Sequence, residues 1–178
     1  MLTARELEEV RVYSPNREHR EGFTRKMRKE LARFGVPLRC VDSPDACVED
    51  ADLIVTVTTS PKPVFDARLV KKGATVSCVG TFEPDKHEIA PALIAGADRI
   101  ICDSREAALS ESGDLLIPMA QKLISERDVL GSLGDVLNGK LPGRESDDEI
   151  ILFETVGVAA QDLMVAQLIY EKAVSSAD

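Results

Sequence analysis

The stretch "DLIVTVTTSPKPVFDARLVKKGATVSCVG" covers residues 52–80, and its two ends decide the fold. Residues 52–59 and 74–80 are β-branched, nearly continuous in hydrophobicity and too short for helices. Runs of this kind are the pattern of parallel strands buried on both faces. Working outward, "VRVYS" (10–14), "LRCV" (38–41), "DRIICDS" (98–104) and "IILFETVG" (150–157) repeat the signal. Helical patterns lie between them. One runs from Arg17 to Phe34 and is stopped by Gly35 and Pro37. Its Phe23, Met27, Leu31 and Phe34 recur at helical spacing and are expected to face a core. A short helix is expected in "APALIAGA", helical pieces from Arg105 to Gly139, and an amphipathic helix over 158–173. Alternation of strands and helices predicts an α/β protein with a Rossmann-like, doubly wound, mostly parallel sheet and helices on both faces.

Composition narrows the function classes. With 44% hydrophobic and 30% charged residues the chain has the makings of a folded core and not of a disordered tail. A net charge of −9 argues against a nucleic-acid groove or an anionic membrane surface as partner, since both need basic protein. The local basic run Arg25, Lys26, Arg28 and Lys29 reads as the solvated face of a helix. No run approaches the roughly 20 apolar residues that span a bilayer. The start, "MLTARELEEV", lacks the basic-then-apolar layout of a secretion signal. Cys40, Cys47, Cys78 and Cys102 show no C-x-x-C spacing and read as reduced, buried thiols of a cytoplasmic protein. No metal-ligand spacing and no nucleophile–base motif stands out.

In open parallel sheets, ligands bind beyond the carboxyl ends of the strands. The polar clusters fall at such ends: Ser14, Asn16 and Arg17 after the first strand, and Thr58, Thr59 and Ser60 after the third. Gly80 and Thr81 follow the fourth, and Thr155 and Gly157 the last. Ser14 stands where such folds read the adenosine ribose. A hydroxyl there, with Arg17 nearby and no acid, leans toward NADP over NAD. Ser14 or Asn16 serves equally as an ordinary helix cap. "VGTFEPDKHEI" (79–89) is the densest polar stretch beside a strand end. There Lys86 suits a substrate carboxylate and His87 suits proton exchange, while a solvated turn accounts for the same residues. His19, at an exposed helix start, is expected to be inert.

"ADLIVTVTTSPKPVF", "VSCVGTFEPDKHEI", "ICDSREAALSESGDL" and the stretch from "LGDVLNGK" to "LIYEKA" occur in an order and spacing that closely resembles the ornithine cyclodeaminase/mu-crystallin family. The resemblance runs from about Leu7 to Ala173 and implies the dinucleotide-binding part of such a protein. It implies hydride transfer between NAD(P)H and a cyclic or linear imine or amino acid, of the ketimine or pyrroline-carboxylate reductase type. Ornithine cyclodeaminase and alanine dehydrogenase activities are the alternatives within the family. By the same resemblance Thr58, Val79, Gly80, Thr81 and Thr155 are cofactor-binding positions, with Ser14, Asn16 and Arg17 on the ribose side. Lys86 and Val156 are substrate-side positions. Pro15 departs from the arginine common beside the ribose in NADPH users, which weakens the lean to NADP. Phe82 stands where cyclodeaminases place a catalytic aspartate. Phenylalanine transfers no proton, and the neighbouring Glu83 is expected to point the other way in an extended segment.

The resemblance also implies that a substrate and dimerisation domain, a first strand and a glycine-rich loop precede the segment seen here. The family's catalytic lysine and substrate-binding arginine belong to that part, so no residue of this chain is assigned a catalytic role. On this reading residues 1–178 form a single, partial NAD(P)-binding domain lacking the usual first strand. The chain is then a truncated copy, one half of a split enzyme completed by an N-terminal chain, or a non-catalytic binding or oligomerising module. Without the loop amides that hold a pyrophosphate, the chain alone is expected to bind dinucleotide weakly and to be inactive. A small imine or amino acid is the expected substrate, and a homodimer the expected assembly if one forms.

Overall fold

The computed structural model describes residues 3–175. They divide into two compact units, Met1–Ala51 with Val64–Lys71, and Asp52–Pro63 with Lys72–Asp178. The outermost residues of the predicted 1–178 domain lie outside the described residues.

In the first unit, strand β1 (Val10–Val12) pairs in parallel with β2 (Leu38–Cys40), Val10 opposite Leu38. The crossover is helix α1 (Arg17–Glu30), and a short helix α2 (Pro44–Val48) follows β2. Asn16 caps α1 by accepting the His19 amide at 3.0 Å. The expected helix to Phe34 tightens after Glu30 into a 3-10 turn, Ala32–Phe34, and Gly35 at φ 68 ends it. That left-handed backbone is cheap only for glycine.

The expected apolar stripe of α1 is corrected. Phe23 is 51% exposed, Met27, Leu31 and Phe34 are half-buried, and the buried residues are Arg20 and Thr24. The inward face is therefore turned by about one residue from the one that hydrophobicity marks. Arg20 tolerates burial because its guanidinium is satisfied. It donates to the Ser14 carbonyl at 3.1 Å and to Asp42 Oδ1 at 2.6 Å, and lies 5.7 Å from the centre of the Tyr13 ring.

The second unit is built on five strands: β3 (Leu53–Thr56), β4 (Thr75–Cys78), β5 (Arg99–Cys102), β6 (Val129–Ser132) and β7 (Ile151–Glu154). All pair in parallel, in the order β3-β4-β7-β5-β6. Between and after them come α3 (Pro91–Ala95), α4 (Arg105–Glu111), α5 (Gly113–Ala120), α6 (Leu133–Leu137) and α7 (Ala159–Ser175). This is the parallel α/β class that the alternation predicted. The three inner strands bury Val76, Leu152, Ile100 and Ile101, joined by Ile89, Ile94 and Leu115 from the segments outside the sheet. Each such side chain contributes about 1.5–3 kcal/mol. Among the described residues β1 pairs only with β2 and β3 only with β4.

Three local expectations are revised. β3 buries Ile54 and Thr56 on one face but leaves Leu53 and Val55 exposed on the other. Residues 105–139, expected to be helical, include the edge strand β6, four residues whose pairing with β5 shifts register at Ile100/Ile101. Helix α7 is exposed along its whole length, and Leu163, Met164, Leu168, Ile169 and Tyr170 are all more than half exposed. Among the described residues no helix is long and apolar enough to cross a membrane, and no group of three or more His, Cys, Asp or Glu is placed to hold a metal ion.

Candidate functional site

Parallel pairing carries β3, β4, β7 and β5 to a common carboxyl edge, and in the second unit two carboxylates organise that edge. The first is Glu88, fully buried. Its Oε1 accepts the Thr58 amide at 2.6 Å, and its Oε2 accepts the Gly80 amide at 2.9 Å. One side chain thus ties the loop after β3 to the loop after β4. The second is Asp103, at the end of β5. It accepts the Thr155 hydroxyl at 2.5 Å and the Gly157 amide at 2.9 Å through Oδ2, and the Ser104 amide at 2.6 Å through Oδ1. It fixes the turn after β7, where Gly157 sits at φ 92.

Between the first two loops lies a shallow pocket of about 100 Å³, lined by Thr59, Ser60, Gly80, Thr81, Phe82, Glu83 and Lys86. Thr58 shapes its rim: its hydroxyl accepts the Ser60 amide at 3.1 Å, while the Ser60 hydroxyl donates to the Lys62 carbonyl at 2.7 Å. Val79 continues the ladder by donating to the Thr56 carbonyl at 2.9 Å. Phe82 is 60% exposed at the mouth. The segment is not extended as expected: it turns, with the Lys86 amide donating to the Glu83 carbonyl at 3.2 Å, and Phe82 and Glu83 both line the pocket. Lys86 Nζ pairs with Glu83 Oε1 at 2.5 Å. That hydrogen bond holds the Lys86 ammonium above the usual lysine range.

Beneath the pocket is a buried acidic group of three. Asp114 and Glu154 join Glu88, all at 1% exposure or less. Asp114 Oδ1 accepts the Ile89 amide at 2.8 Å, and Oδ2 has no partner. Burial pushes its carboxyl above the usual range, opposed by the Ile89 amide and by the nearby Thr81 hydroxyl, which makes no well-aligned bond. Glu154 accepts the Ser112 hydroxyl at 2.9 Å; burial first, and Asp114 next, push it well up. Burial and the Glu154 charge push the Cys78 thiol up as well. Cys78 and Cys102 are buried, Cys40 and Cys47 half-buried.

The candidate residues fall into separate groups. Thr58, Val79, Gly80, Thr81 and Lys86 come together around the pocket, and Thr155 and the half-buried Val156 lie on the turn held by Asp103. Ser14, Asn16 and Arg17 belong to the other unit. There Asn16 is a helix cap, and Arg17 Nε donates to Glu21 Oε1 at 2.7 Å. The basic face of α1 carries a shallow depression lined by Gly22, Arg25, Lys26, Lys29 and Glu30. His87 is half-buried, with Nδ1 unpartnered. Glu88, Asp103 and Arg20 were not singled out from the sequence. The available signal for Glu88 and Asp103 was an acid close to a strand end.

An all-parallel sheet with a pocket beyond the carboxyl ends of its strands is the arrangement in which open α/β proteins bind ligands. Comparison with known proteins narrows the class. The chain belongs to the ornithine cyclodeaminase/mu-crystallin family, whose profile matches residues 1–177. It is 36% identical over 174 residues to a Delta(1)-pyrroline-2-carboxylate reductase of Bacillus cereus, covering 98% of this chain and 52% of that protein. To ketimine reductase mu-crystallin of Mus musculus it is 34% identical over 163 residues, covering 92% and 47%. Among solved structures, Thermococcus litoralis Delta(1)-pyrroline-2-carboxylate reductase in complex with NADH and L-proline superposes with a TM-score of 0.92 at 31% identity, covering 98% of this chain and 53% of that one. An archaeal alanine dehydrogenase dimer with bound NAD gives 0.87 at 28% identity, covering 99% and 52%. The chain spans about half the length of the relatives it matches.

Proposed function

We propose that this chain supplies the dinucleotide-side half of an NAD(P)H-dependent reductase of cyclic or linear imines. The pocket between the Thr58 and Gly80 loops carries the reading, because it lies at the carboxyl edge where parallel sheets bind nucleotides. The residues fit one end of a dinucleotide. Thr59, Ser60, Thr81 and Phe82 line a space of about 100 Å³, well below the ~300–1,000 Å³ of sites that enclose a drug-sized ligand. The pocket suits a ring. That size also supports weak binding by the chain alone.

In this reading Thr58, Val79, Gly80, Thr81 and Thr155 hold the cofactor, and Ser14, Asn16 and Arg17 serve its ribose end. Lys86, released from Glu83, meets the substrate carboxylate, and Val156 lines the substrate side. The bound dihydronicotinamide supplies a hydride to the imine carbon. Phe82 offers an aromatic face and no proton, which disfavours cyclodeamination and suits an imine whose nitrogen arrives protonated. Residues 1–178 are read as one partial binding domain, in a cytoplasmic protein that forms a homodimer or is completed by an N-terminal chain.

The test begins with the protein from its native source, its intact mass recorded against 19.4 kDa. That material is assayed for oxidation of NADH and NADPH with Δ1-pyrroline-2-carboxylate and Δ1-piperideine-2-carboxylate. Turnover with either imine is the expected result, and none with any pairing would sink the proposal. For the 178-residue chain alone, a low-micromolar dissociation constant for NADPH would contradict the expected weak binding.

A further inference from the structure

We infer that Glu88 is a positioning residue, whose buried carboxylate holds the two pocket-forming loops in binding geometry before any dinucleotide arrives. The inference rests on the function proposed above. Three observations carry it. Glu88 uses both oxygens, one on the Thr58 amide and one on the Gly80 amide, so a single group sets the spacing of two loops from different strands. It is itself pinned. Asp114, in the first turn of α5, accepts the amide of the next residue, Ile89, at 2.8 Å. And the backbone is built tight around it: a Cβ on Gly80 would lie 2.5 Å from Glu88 Oε2, and one on Gly113 would lie 1.9 Å from the Lys86 carbonyl oxygen.

The chemistry explains why an acid is needed. A carboxylate accepts at both oxygens, whereas a carboxamide accepts at one and donates at the other. Glu88→Gln keeps the shape but sets an N–H2 group against one of two amide donors, so one of the loops is released. Glu88 is fully buried with both oxygens on loop amides, so its effect falls on binding and not on the chemical step.

Two measurements on the full protein test this. In the wild type free of ligand, the Thr58 and Gly80 amides should exchange with solvent far more slowly than the exposed Thr59 amide, read residue by residue by NMR. Fast exchange that slows only when NADH is added would overturn pre-organisation, whether or not any variant folds. In Glu88→Gln, exchange at Thr58 or Gly80 should accelerate while Val76 and Leu152 in the inner strands stay protected. The KM for NADH should rise about tenfold or more with kcat within about twofold. Accelerated exchange with an unchanged KM, or a fall in kcat at constant KM, overturns the positioning role. A wild type that binds no NADH removes the proposed function instead, and leaves amide exchange to judge the clamp.

Discussion

Gly80→Ala tests the carboxyl edge most directly, because its consequence can be worked from distances. The added Cβ would lie 2.2 Å from the Thr58 carbonyl oxygen, 2.6 Å from the Thr58 nitrogen and 2.5 Å from Glu88 Oε2. Ordinary contact begins near 3.4 Å, so the neighbours must retreat by roughly 0.8–1.2 Å. Two of the three atoms are Thr58 backbone in the loop after β3, adjoining the bond from the Val79 amide to the Thr56 carbonyl. The third holds the loops together. Overpacking costs about 1–3 kcal/mol. Losing the Gly80 amide from a buried carboxylate costs about 1–3 kcal/mol more. Fewer unfolded conformations return about 0.4–1 kcal/mol. The net is a destabilisation of about 1–5.6 kcal/mol. With a urea slope of about 2 kcal/mol per molar, the unfolding midpoint by circular dichroism should fall by roughly 0.5–2.8 M. A midpoint unchanged or raised would refute the close approach of the β3 and β4 loops.

Gly22→Ala is the contrasting case: its Cβ would meet only Arg25 Nη2 at 4.0 Å, inside helix α1. It should stabilise the protein by about 0.5–1 kcal/mol, and a lowered midpoint would count against the helix. Glu154 has its pKa raised by burial and by Asp114, so the native state keeps a proton that the unfolded chain has released. The stability this contributes is full below the unfolded carboxyl value and is lost as pH rises toward the folded one, by at most about 1.4 kcal/mol per pH unit. Glu154→Gln retains an acceptor for Ser112 and should gain thermal stability over wild type as pH climbs above about 4, the unfolded carboxyl value; parallel curves would contradict this. Glu149 has the opposite sign. Its hydrogen bonds from Arg99 hold it down to about 2, so its contribution is present above the unfolded value and lost as pH falls toward that figure. Glu149→Gln should flatten acid unfolding in that interval, and an unaltered acid limb would argue against the pair.

The candidate site was legible in part. Strand ends are marked by polar residues after apolar runs, which is a local signal, and it placed Thr58, Gly80, Thr81 and Thr155 after their strands, where the structure has them. What those residues do to one another was not legible. Glu88 lies 30 positions from Thr58 and 8 from Gly80, and nothing in its neighbours distinguishes a clamp from a solvated acid. Arg20 escaped notice for a related reason: a basic residue beside a basic run reads as surface until Asp42, 22 positions away, is seen beside it.

By itself the sequence determined the parallel α/β class, the strands β1, β2, β3, β4, β5 and β7, and the family; it left the cap of α1 open between Ser14 and Asn16, and the structure gives it to Asn16. Each rests on side-chain periodicity or on short motifs, which are properties of neighbouring residues. Only the tertiary structure decided that β7, last in the chain, pairs between β4 and β5, that β6 is a strand, and that β3 is buried on one face alone. It alone decided that three buried acids underlie the pocket. Pairing and burial follow from contacts between residues far apart in the chain. A hydrogen-bond acceptor is recognised as a clamp only when its donors are brought to it.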